Sequence, residues 1–394
     1  MKDKSACPVC QSPSVELFLS RREIPIHQNL LMEDETSSVQ TPRGDLELAV
    51  CHSCGFIFNQ AFDLSRLQYG ASYENKQECS PYFNQYLERL ANRLTSEKQV
   101  TGARVVEIGC GQGYFLRKLV AAGNTGYGFD PSYSGPASDL DGKISFEKRY
   151  YDEDCANVIA DVVVCRHVIE HVPRPLTLLR SVRRALINSP RARVFFETPC
   201  VEWILRNGIV WDLFYEHCSY FSAASLTTAF ESSGFRVESV RHVFEDQYLW
   251  LEAVVSDSPT SPSLNPGPIP QLASEFAAAE SRLSDLARQL KELSAKGGVA
   301  LWGAGAKGVT LANLLDKERS LLSCVVDLNS KKQGRYIPGT GHPIVHYRDL
   351  PSFGVKTAVL MNPNYREENL NLLREANIEI DLIELELDRY ETHH

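Results

Sequence analysis

The segment Val105–Gly113 decides the fold, and it reads Val-Val-Glu-Ile-Gly-Cys-Gly-Gln-Gly. An apolar strand that ends in an acid, a glycine turn and a following helix are typical of a βαβ nucleoside-binding unit. The next predicted strand, Gly126–Asp130, also ends in an acid. Its carboxylate can accept hydrogen bonds from both hydroxyls of a ribose. The sequence therefore predicts an α/β, Rossmann-like domain that binds a nucleoside.

The glycine spacing narrows the choice of ligand. Gly109, Gly111 and Gly113 let the backbone approach a ligand closely, but they lack the Gly-x-Gly-x-x-Gly spacing that wraps a pyrophosphate. Glu107 precedes the first glycine, at a position suited to a cationic amino-acid group. This pattern resembles motif I of the S-adenosylmethionine (SAM) methyltransferases, with a generic nucleotide domain as the alternative. The predicted cofactor contacts are Glu107, Gly109, Gly111, Gly113, Asp130, Tyr151, Asp152 and Arg166.

Length and charge limit the class of protein. A chain of 394 residues is expected to form two or three domains. The formal net charge of −9 argues against a nucleic-acid partner, because phosphate binding needs a basic face. No segment has the pattern of a signal peptide or the length of a membrane span. We therefore expect a cytoplasmic monomer or homodimer with no membrane partner.

Two pairs of cysteines predict a metal site. Cys7 and Cys10 form one Cys-x2-Cys knuckle, and Cys51 and Cys54 form a second. Tetrahedral Zn²⁺ binds four thiolates delivered in such pairs, and with no position left open for water the zinc is expected to be structural. The alternative is four unrelated buried cysteines. In a reducing cytoplasm a metal site is favoured over disulfides.

A polar and aromatic stretch at 69–80 joins the cysteine knuckles to the nucleoside-binding domain. A solvated loop is the more common structure for such a composition. The functional alternative is a lid over the cleft, with Tyr73 or Asn75 facing the substrate.

Reactive side chains follow two later predicted strands, 160–165 and 193–197. Ligands of open α/β sheets bind outside the carboxyl ends of the strands, so the segment Arg166–Pro173 faces the expected cleft. Within it, His171 is either an acid that faces the ligand or a structural histidine. Beyond the second strand, Glu216 can orient His217 or raise its basicity, which makes His217 a candidate general base. The alternative for His217 is a satisfied histidine in an aromatic loop.

These segments together resemble the three-domain SAM-dependent C-methyltransferases, whose best-understood members methylate nucleotide-linked keto-deoxysugars. The resemblance extends over essentially the whole chain, because Trp302–Gly308, Lys332–Thr340 and Asn362–Tyr365 look like the C-terminal domain of that family. The implied organisation is a zinc-binding module at 1–68, a class I SAM-dependent methyltransferase domain at 69–255, a linker at 256–270 and a Rossmann-like substrate-binding domain at 271–394.

The resemblance also implies a mechanism. The Glu-His pair of the sugar enzymes maps onto Glu216 and His217, and a further histidine maps onto His171. His217 would remove a proton α to a ketone with Glu216 holding its imidazole, while His171, Tyr215 or Tyr73 would donate a hydrogen bond to the enolate oxygen. The carbanion would then attack the sulfonium methyl in line, without a catalytic metal.

One position departs from the pattern of the sugar enzymes. Their tyrosine two residues before the glutamate is replaced here by Phe214, and Tyr215 occupies the next position. A small-molecule acceptor other than a sugar, methylated at carbon, oxygen or nitrogen, is therefore the alternative.

The C-terminal third contains a second glycine loop. After the Pro/Ser-rich linker, apolar residues at helical spacing from Leu272 to Leu293 predict a long helix packed against a neighbour. The loop Gly303–Gly308 and the later Asp327 fit a dinucleotide fingerprint, which favours a second hypothesis of an NAD-dependent oxidoreductase. A third hypothesis is a non-enzymatic scaffold. We expect the loop to cradle the diphosphate of the acceptor instead. The predicted acceptor contacts are Asn75, Lys307, Lys332, Arg335, Asn362 and Tyr365.

Overall fold

The computed structural model describes residues 6–67, 73–74, 76, 78–256, 262–280 and 283–385. Within these residues the chain forms three β-sheets with helices packed on them. The α/β class expected from the sequence is confirmed. One predicted acceptor contact, Asn75, lies outside the described residues.

The first sheet is built around the cysteine knuckles. Its N-terminal elements are β1 (Val15–Pro25), α1 (Glu35–Val39), β2 (Arg43–Cys51) and β3 (Ile57–Asn59). The strands β1 and β2 pair antiparallel with Val15 opposite Cys51. Because the first knuckle precedes Val15 and the second begins at Cys51, this register brings the two knuckles together.

The middle of the chain supplies the elements of the second sheet. They are α2 (Pro81–Asn92), β4 (Arg104–Ile108), α3 (Tyr114–Ala121), β5 (Thr125–Phe129), β6 (Ser138–Asp139), β7 (Ile144–Glu147), β8 (Val162–Arg166), α4 (Pro175–Ala185), β9 (Arg193–Pro199), α5 (Val201–Arg206), β10 (Ser219–Tyr220), α6 (Ala223–Glu231), β11 (Phe235–Val243) and β12 (Tyr248–Val255). The strand predicted at the start of the Val105–Gly113 segment and those predicted at 126–130, 160–165 and 193–197 correspond to β4, β5, β8 and β9.

The strand order of the second sheet is β11-β12-β9-β8-β4-β5-β7-β6. The strands from β9 to β7 run parallel, and β12 is antiparallel between β9 and β11. This is the class I methyltransferase sheet that the resemblance implied. Strand order reverses between β4 and β8, and ligands of such sheets bind at the carboxyl ends of the strands beside that point. The strand β10 is not part of this sheet and pairs instead with β3 of the first sheet, whose order is β1-β2-β3-β10.

The C-terminal elements form a third sheet. They are α7 (Ile269–Glu280), α8 (Leu283–Ser294), β13 (Gly298–Trp302), α9 (Ala306–Leu315), β14 (Cys324–Val326), β15 (Ile344–Val345), β16 (Val355–Leu360), α10 (Arg366–Glu375) and β17 (Asp381–Ile383). Its five strands are parallel in the order β15-β14-β13-β16-β17. The second Rossmann-like unit expected from the sequence is confirmed.

The apolar stretch after the linker belongs to two described helices, α7 and α8. The first begins at Ile269, inside the predicted linker. Pro270 is tolerated there because proline lacks a backbone N–H group and the N–H groups of the first helical turn make no hydrogen bonds within the helix. α7 packs on α5, β1 and β2, and α8 packs on β13 and α9. Both helices therefore pack against neighbours, as expected.

A continuous apolar core crosses the predicted module boundaries. Leu46 and Leu48 of β2 belong to the same buried cluster as Trp211 before β10, Phe276 of α7 and Leu301 of β13. Burial of apolar surface is the main force in domain association. The three sheets are therefore packed into one body.

Within the described ranges, no helix combines the length and the apolar character needed to cross a lipid bilayer.

Candidate active site

The glycine turn after β4 has the geometry of a ligand-binding loop. Gly109, Gly111 and Gly113 have φ angles of 70°, 53° and 77°, in the left-handed region that favours glycine. A Cβ atom on Gly109 would lie 2.2 Å from Val168, whereas one on Gly111 would meet nothing within 4 Å. The first glycine is thus required for packing, and the second faces open space where a ligand can lie.

Asp130 connects the glycine turn to the end of β5. Its Oδ2 accepts a hydrogen bond from the Gly111 N–H at 2.8 Å, and its Oδ1 accepts from Ser132 N at 2.7 Å and Ser132 Oγ at 2.6 Å. Two carboxylate oxygens offer about four acceptor positions, so the hydroxyls of a ribose can still bind.

Glu107 is a buried acid at the end of β4. Its side chain is 3% exposed, and its Oε2 atom is buried without a hydrogen-bond partner. Burial, opposed by the charge of Arg166, raises the pKa of Glu107 to about 8. An orphaned carboxylate oxygen in this position fits the ammonium group of an amino-acid ligand.

Two other predicted cofactor contacts lie after β7. The Tyr151 ring is buried edge-on against Phe129 at 5.1 Å between centroids, and its hydroxyl is buried without a partner. Asp152 binds Arg149 Nη2 through both oxygens, at 2.7 and 2.8 Å. The hydroxyl of Tyr151 is therefore the better placed of the two to meet a ligand.

Arg166 balances a buried acid. Its Nε donates to Glu197 Oε2 at 2.5 Å, and its guanidinium lies 4.8 Å from the centre of the Phe115 ring. Its Nη2 atom is buried without a hydrogen-bond partner. A cofactor contact through that atom stays a prediction.

The two predicted catalytic histidines come together at the carboxyl end of the second sheet. Donor atoms of Glu170, His171 and His217 all lie within 4.8 Å of one another. The rings of His171 and His217 meet edge-to-face at 4.8 Å, and the Phe214 ring lies 4.2 Å from His217. The Nδ1 atom of His217 is buried without a hydrogen-bond partner.

Electrostatics keep His217 neutral. Burial, together with the positive charges of His171, His167 and Lys307, holds the pKa of His217 well below its usual value. A neutral imidazole is the form that accepts a proton.

The expected contact between Glu216 and His217 is replaced by other contacts. Glu216 Oε1 accepts hydrogen bonds from His27 Nδ1 at 3.0 Å and from the Gln28 N–H at 2.9 Å. Glu216 Oε2 accepts from the Tyr73 hydroxyl at 2.6 Å. Tyr215 and Glu216 lie in a turn that ends directly before His217. The idea that Glu216 holds the His217 imidazole is therefore corrected.

Tyr215 also contacts the N-terminal module. Its ring is fully buried and lies 5.3 Å from that of Phe62, and its hydroxyl accepts from the Asp63 N–H at 2.9 Å. The phenol thus packs within the N-terminal module. Of the predicted oxyanion donors, His171 is the one that adjoins His217.

Sequence reasoning missed three charged groups around this pair. His167 has a φ of 52°, a strained value for a non-glycine residue. Although burial opposes it, the charges of Glu197 and Glu170 raise the pKa of His167 to about 9. Glu197 could have been found, because an acid that ends an apolar strand repeats the pattern of Glu107.

The described part of the predicted lid is held from two sides. Tyr73 bridges to Leu30, and the Glu74 N–H donates to Asn29 O at 2.8 Å. The Glu74 carboxylate accepts from Asn329 Nδ2 at 3.1 Å. Residues 73–74 therefore lie between the N-terminal module and the third sheet.

Three predicted acceptor contacts meet the second sheet. Lys307 Nζ lies 2.9 Å from Asp212 Oδ2 and 3.3 Å from Gln247 Oε1. Asn362 and Gln247 exchange two amide hydrogen bonds of 3.1 Å. Tyr365 packs edge-on against an aromatic ring of α2. These residues lie where the third sheet meets the second.

The other two basic contacts face the N-terminal module. Lys332 is buried, and its Nζ donates to Asn29 Oδ1 at 3.1 Å and to Ala304 O at 2.9 Å. Arg335 lies 2.8 Å from Glu33 Oε1. Both cations already have protein partners, so their role in acceptor binding stays a prediction.

Two parts of the chain match known protein families. Residues 78–240 match the family described as "Methyltransferase domain", and residues 271–379 match the family described as "C-methyltransferase C-terminal domain". The C-methyltransferase NovU of Streptomyces niveus is 26% identical over 360 residues, which cover 86% of this chain and 84% of NovU. The chain is a SAM-dependent methyltransferase with a methyltransferase domain and a C-methyltransferase C-terminal domain, and it is similar to NovU over most of its length.

Other similarities cover a smaller part of this methyltransferase. The ubiquinone biosynthesis O-methyltransferase of Ralstonia nicotianae is 32% identical over 113 residues, which cover 27% of this chain and 47% of that protein. The structure of a SAM-dependent methyltransferase from Mesorhizobium loti has 18% identity and a TM-score of 0.33, and the match covers 43% of this chain and 99% of that chain. The family matches favour the methyltransferase over the oxidoreductase and scaffold hypotheses.

The four cysteines of the methyltransferase form a cluster. The sulfur atoms of Cys7 and Cys54 are 3.7 Å apart, and those of Cys10 and Cys51 are 3.5 Å apart. Four sulfurs at about 2.3 Å from a tetrahedral metal would be about 3.8 Å apart. The cluster therefore fits a tetrahedral metal ion.

We expect cofactor binding to release a proton from Glu107. In the free protein a pKa of about 8 keeps this acid largely protonated at pH 7, and a bound ammonium group lowers that pKa. Calorimetric titration with S-adenosylhomocysteine at pH 7, in buffers of different ionisation enthalpy, measures the proton released. Glu107→Gln should abolish the release and the exposed Glu238→Gln should not. Proton uptake, or equal release from Glu107→Gln, would contradict this assignment.

Proposed function

We propose that this enzyme methylates the carbon α to a ketone in a nucleotide-linked keto-sugar or a related small metabolite. The observation that carries the proposal is the half-buried pair of His171 and His217 at the carboxyl end of the sheet that holds the glycine turn. Bound SAM supplies an electrophilic methyl group. A base and a hydrogen-bond donor side by side are what an enolate mechanism needs.

The steps follow from the protonation states. Neutral His217 takes the α proton, and the electron pair of the broken C–H bond forms the enolate. His171 donates a hydrogen bond to the enolate oxygen, because its ring adjoins that of His217, whereas the phenol of Tyr215 contacts Asp63. The α carbon then bonds to the methyl group, and S-adenosylhomocysteine leaves with the electron pair of the broken S–C bond.

The third sheet supports an anionic, nucleotide-linked acceptor. Its glycine loop opens α9, and a helix N-terminus favours phosphate groups. Lys307 lies in the first turn of α9, where it also contacts the domain of His217. We propose an acceptor site between the domains at 69–255 and 271–394, which is supported by the contacts of Lys307 with Asp212 and of Asn362 with Gln247.

His217→Ala should lower turnover by the roughly 10²- to 10⁴-fold typical of a lost general base. Affinity for S-adenosylhomocysteine should stay unchanged, because the cofactor contacts lie on other elements. Steady-state kinetics and calorimetry measure the two effects, and His242→Ala, an exposed histidine on β11, is the control. Full activity in His217→Ala would remove it from the mechanism.

The pH profile provides a further check on the base. Since the pKa of His217 lies well below its usual value, kcat/KM should fall only as the pH drops through that lowered value. In deuterated solvent the α position of a keto-sugar acceptor should also exchange. An acid limb at or above the usual histidine pKa would point to a different base.

Lys307→Ala should raise the acceptor KM by about ten- to hundredfold, the loss expected for a charge-assisted contact. SAM affinity should not change. The exposed Lys317→Ala of the same domain is the control for loss of charge. An unchanged KM would leave this domain without the proposed role, and tight NADH binding with hydride transfer to a carbonyl would revive the oxidoreductase hypothesis.

We propose that the metal in the cysteine cluster is structural zinc. All four positions are filled by cysteines, and none of the eleven cysteines of the chain, each within the described residues, forms a disulfide, which suits a reducing cytoplasm. Protein purified without chelator should contain one equivalent of zinc, measured by atomic emission. Cys51→Ser should lose it and become less soluble, while folded molecules keep their SAM affinity. A second equivalent would place a metal near His217 and contradict the mechanism.

A further inference from the structure

The N-terminal module holds the chain around the candidate base at several points. We call residues 210–220 the base segment. Arg21 of β1 is buried, and its two terminal nitrogens donate to Val210 O at 2.7 Å and to Leu213 O at 2.8 Å. A buried guanidinium has to find acceptors, and here both acceptors are backbone carbonyls of the base segment. These two hydrogen bonds attach the first turn of the base segment to β1.

The other end of the base segment is fixed by β3. The Asn59 N–H donates to Cys218 O at 2.9 Å, and β10 pairs with β3 through Ser219 and Tyr220. His217 therefore lies between two attachments to the N-terminal module, although it belongs to the methyltransferase domain by sequence.

The third attachment is a pair of hydrogen bonds to a buried carboxylate. Glu216 is 1% exposed and His27 is 3% exposed. The Nδ1 atom of His27 must carry a proton, because the carboxylate oxygen 3.0 Å away only accepts. The other oxygen of Glu216 receives the Tyr73 hydroxyl. His27 and Tyr73 are thus connected through one carboxylate.

We propose that His27 is a positioning residue of the methyl transfer, which acts through Glu216 to fix the Tyr73 hydroxyl and the turn that precedes His217. This inference rests on the proposed function, because it takes His217 as the base. It assigns the N-terminal module a part in catalysis that is separate from metal binding.

The test compares two substitutions of one residue. The amide nitrogen of asparagine can take the place of His27 Nδ1 as a donor, whereas alanine removes it. We expect His27→Ala to lower kcat by about ten- to hundredfold, the effect of a small misplacement, with unchanged SAM affinity and zinc content. His27→Asn should restore most of the activity. The exposed His242→Ala is the control.

A double variant shows whether His27 acts through Glu216. The effects of residues in one network are not additive, so His27→Ala combined with Glu216→Ala should be no slower than Glu216→Ala alone. Additive losses would overturn the proposal. So would a His27→Ala protein that loses zinc and activity together and is not rescued by asparagine.

A readout without turnover separates this inference from the proposed function. A 3-fluorotyrosine introduced at position 73 reports the hydrogen bond to Glu216 through its ¹⁹F chemical shift. The shift should change in His27→Ala and return in His27→Asn. If it does so while the wild type neither methylates nor exchanges a keto-sugar, the proposed function fails and the positioning contact stands. An unmoved shift would overturn the positioning role.

Discussion

A carboxylate buried to 1% exposure has to be satisfied by the protein itself, and Glu216 sets this constraint on the whole site. Its donors are His27, the N–H group of Gln28 and the hydroxyl of Tyr73. None of them belongs to the sheet that binds the cofactor. Removal of the N-terminal module would take away two of these three donors, His27 and the Gln28 N–H group, so the methyltransferase domain depends on the module for its active geometry.

Each of the two Rossmann-like units has an aspartate that accepts hydrogen bonds from backbone N–H groups of its glycine loop and of the turn after its own strand, but the charges around the two aspartates differ. Asp130 bonds the N–H groups of Gly111 and Ser132, and Asp327 bonds those of Ala304 and Asn329. The ammonium of Lys332 lies 4.0 Å from Asp327, whereas no such ion pair is found at Asp130 among the described residues. Because the same turn occurs in both units, a glycine fingerprint alone identifies a nucleotide cradle and not its ligand.

The features that depend on residues close together in the sequence were predicted correctly. The four cysteines meet because each pair is a short knuckle and one hairpin register joins them, and the acids after β4 and β5 follow from strand and turn signals. The partners of Glu216 could not be read in this way, because His27 lies 189 positions away and no spacing distinguishes it. Adjacency to His217 suggested a contact, but the turn at 215–216 directs the two side chains to different neighbours.

The correction at Glu216 changes how the chemistry has to work. A base with a lowered pKa and without Glu216 as its partner has less driving force to remove a carbon-bound proton, so stabilisation of the enolate must carry more of the catalysis. The charges that lower the pKa of His217 include that of His167, whose own pKa is raised to about 9 by Glu197 and Glu170 against the effect of burial. A cation close enough to disfavour a protonated imidazole also favours an anion formed beside it. The field that weakens the base is therefore the field that stabilises the enolate.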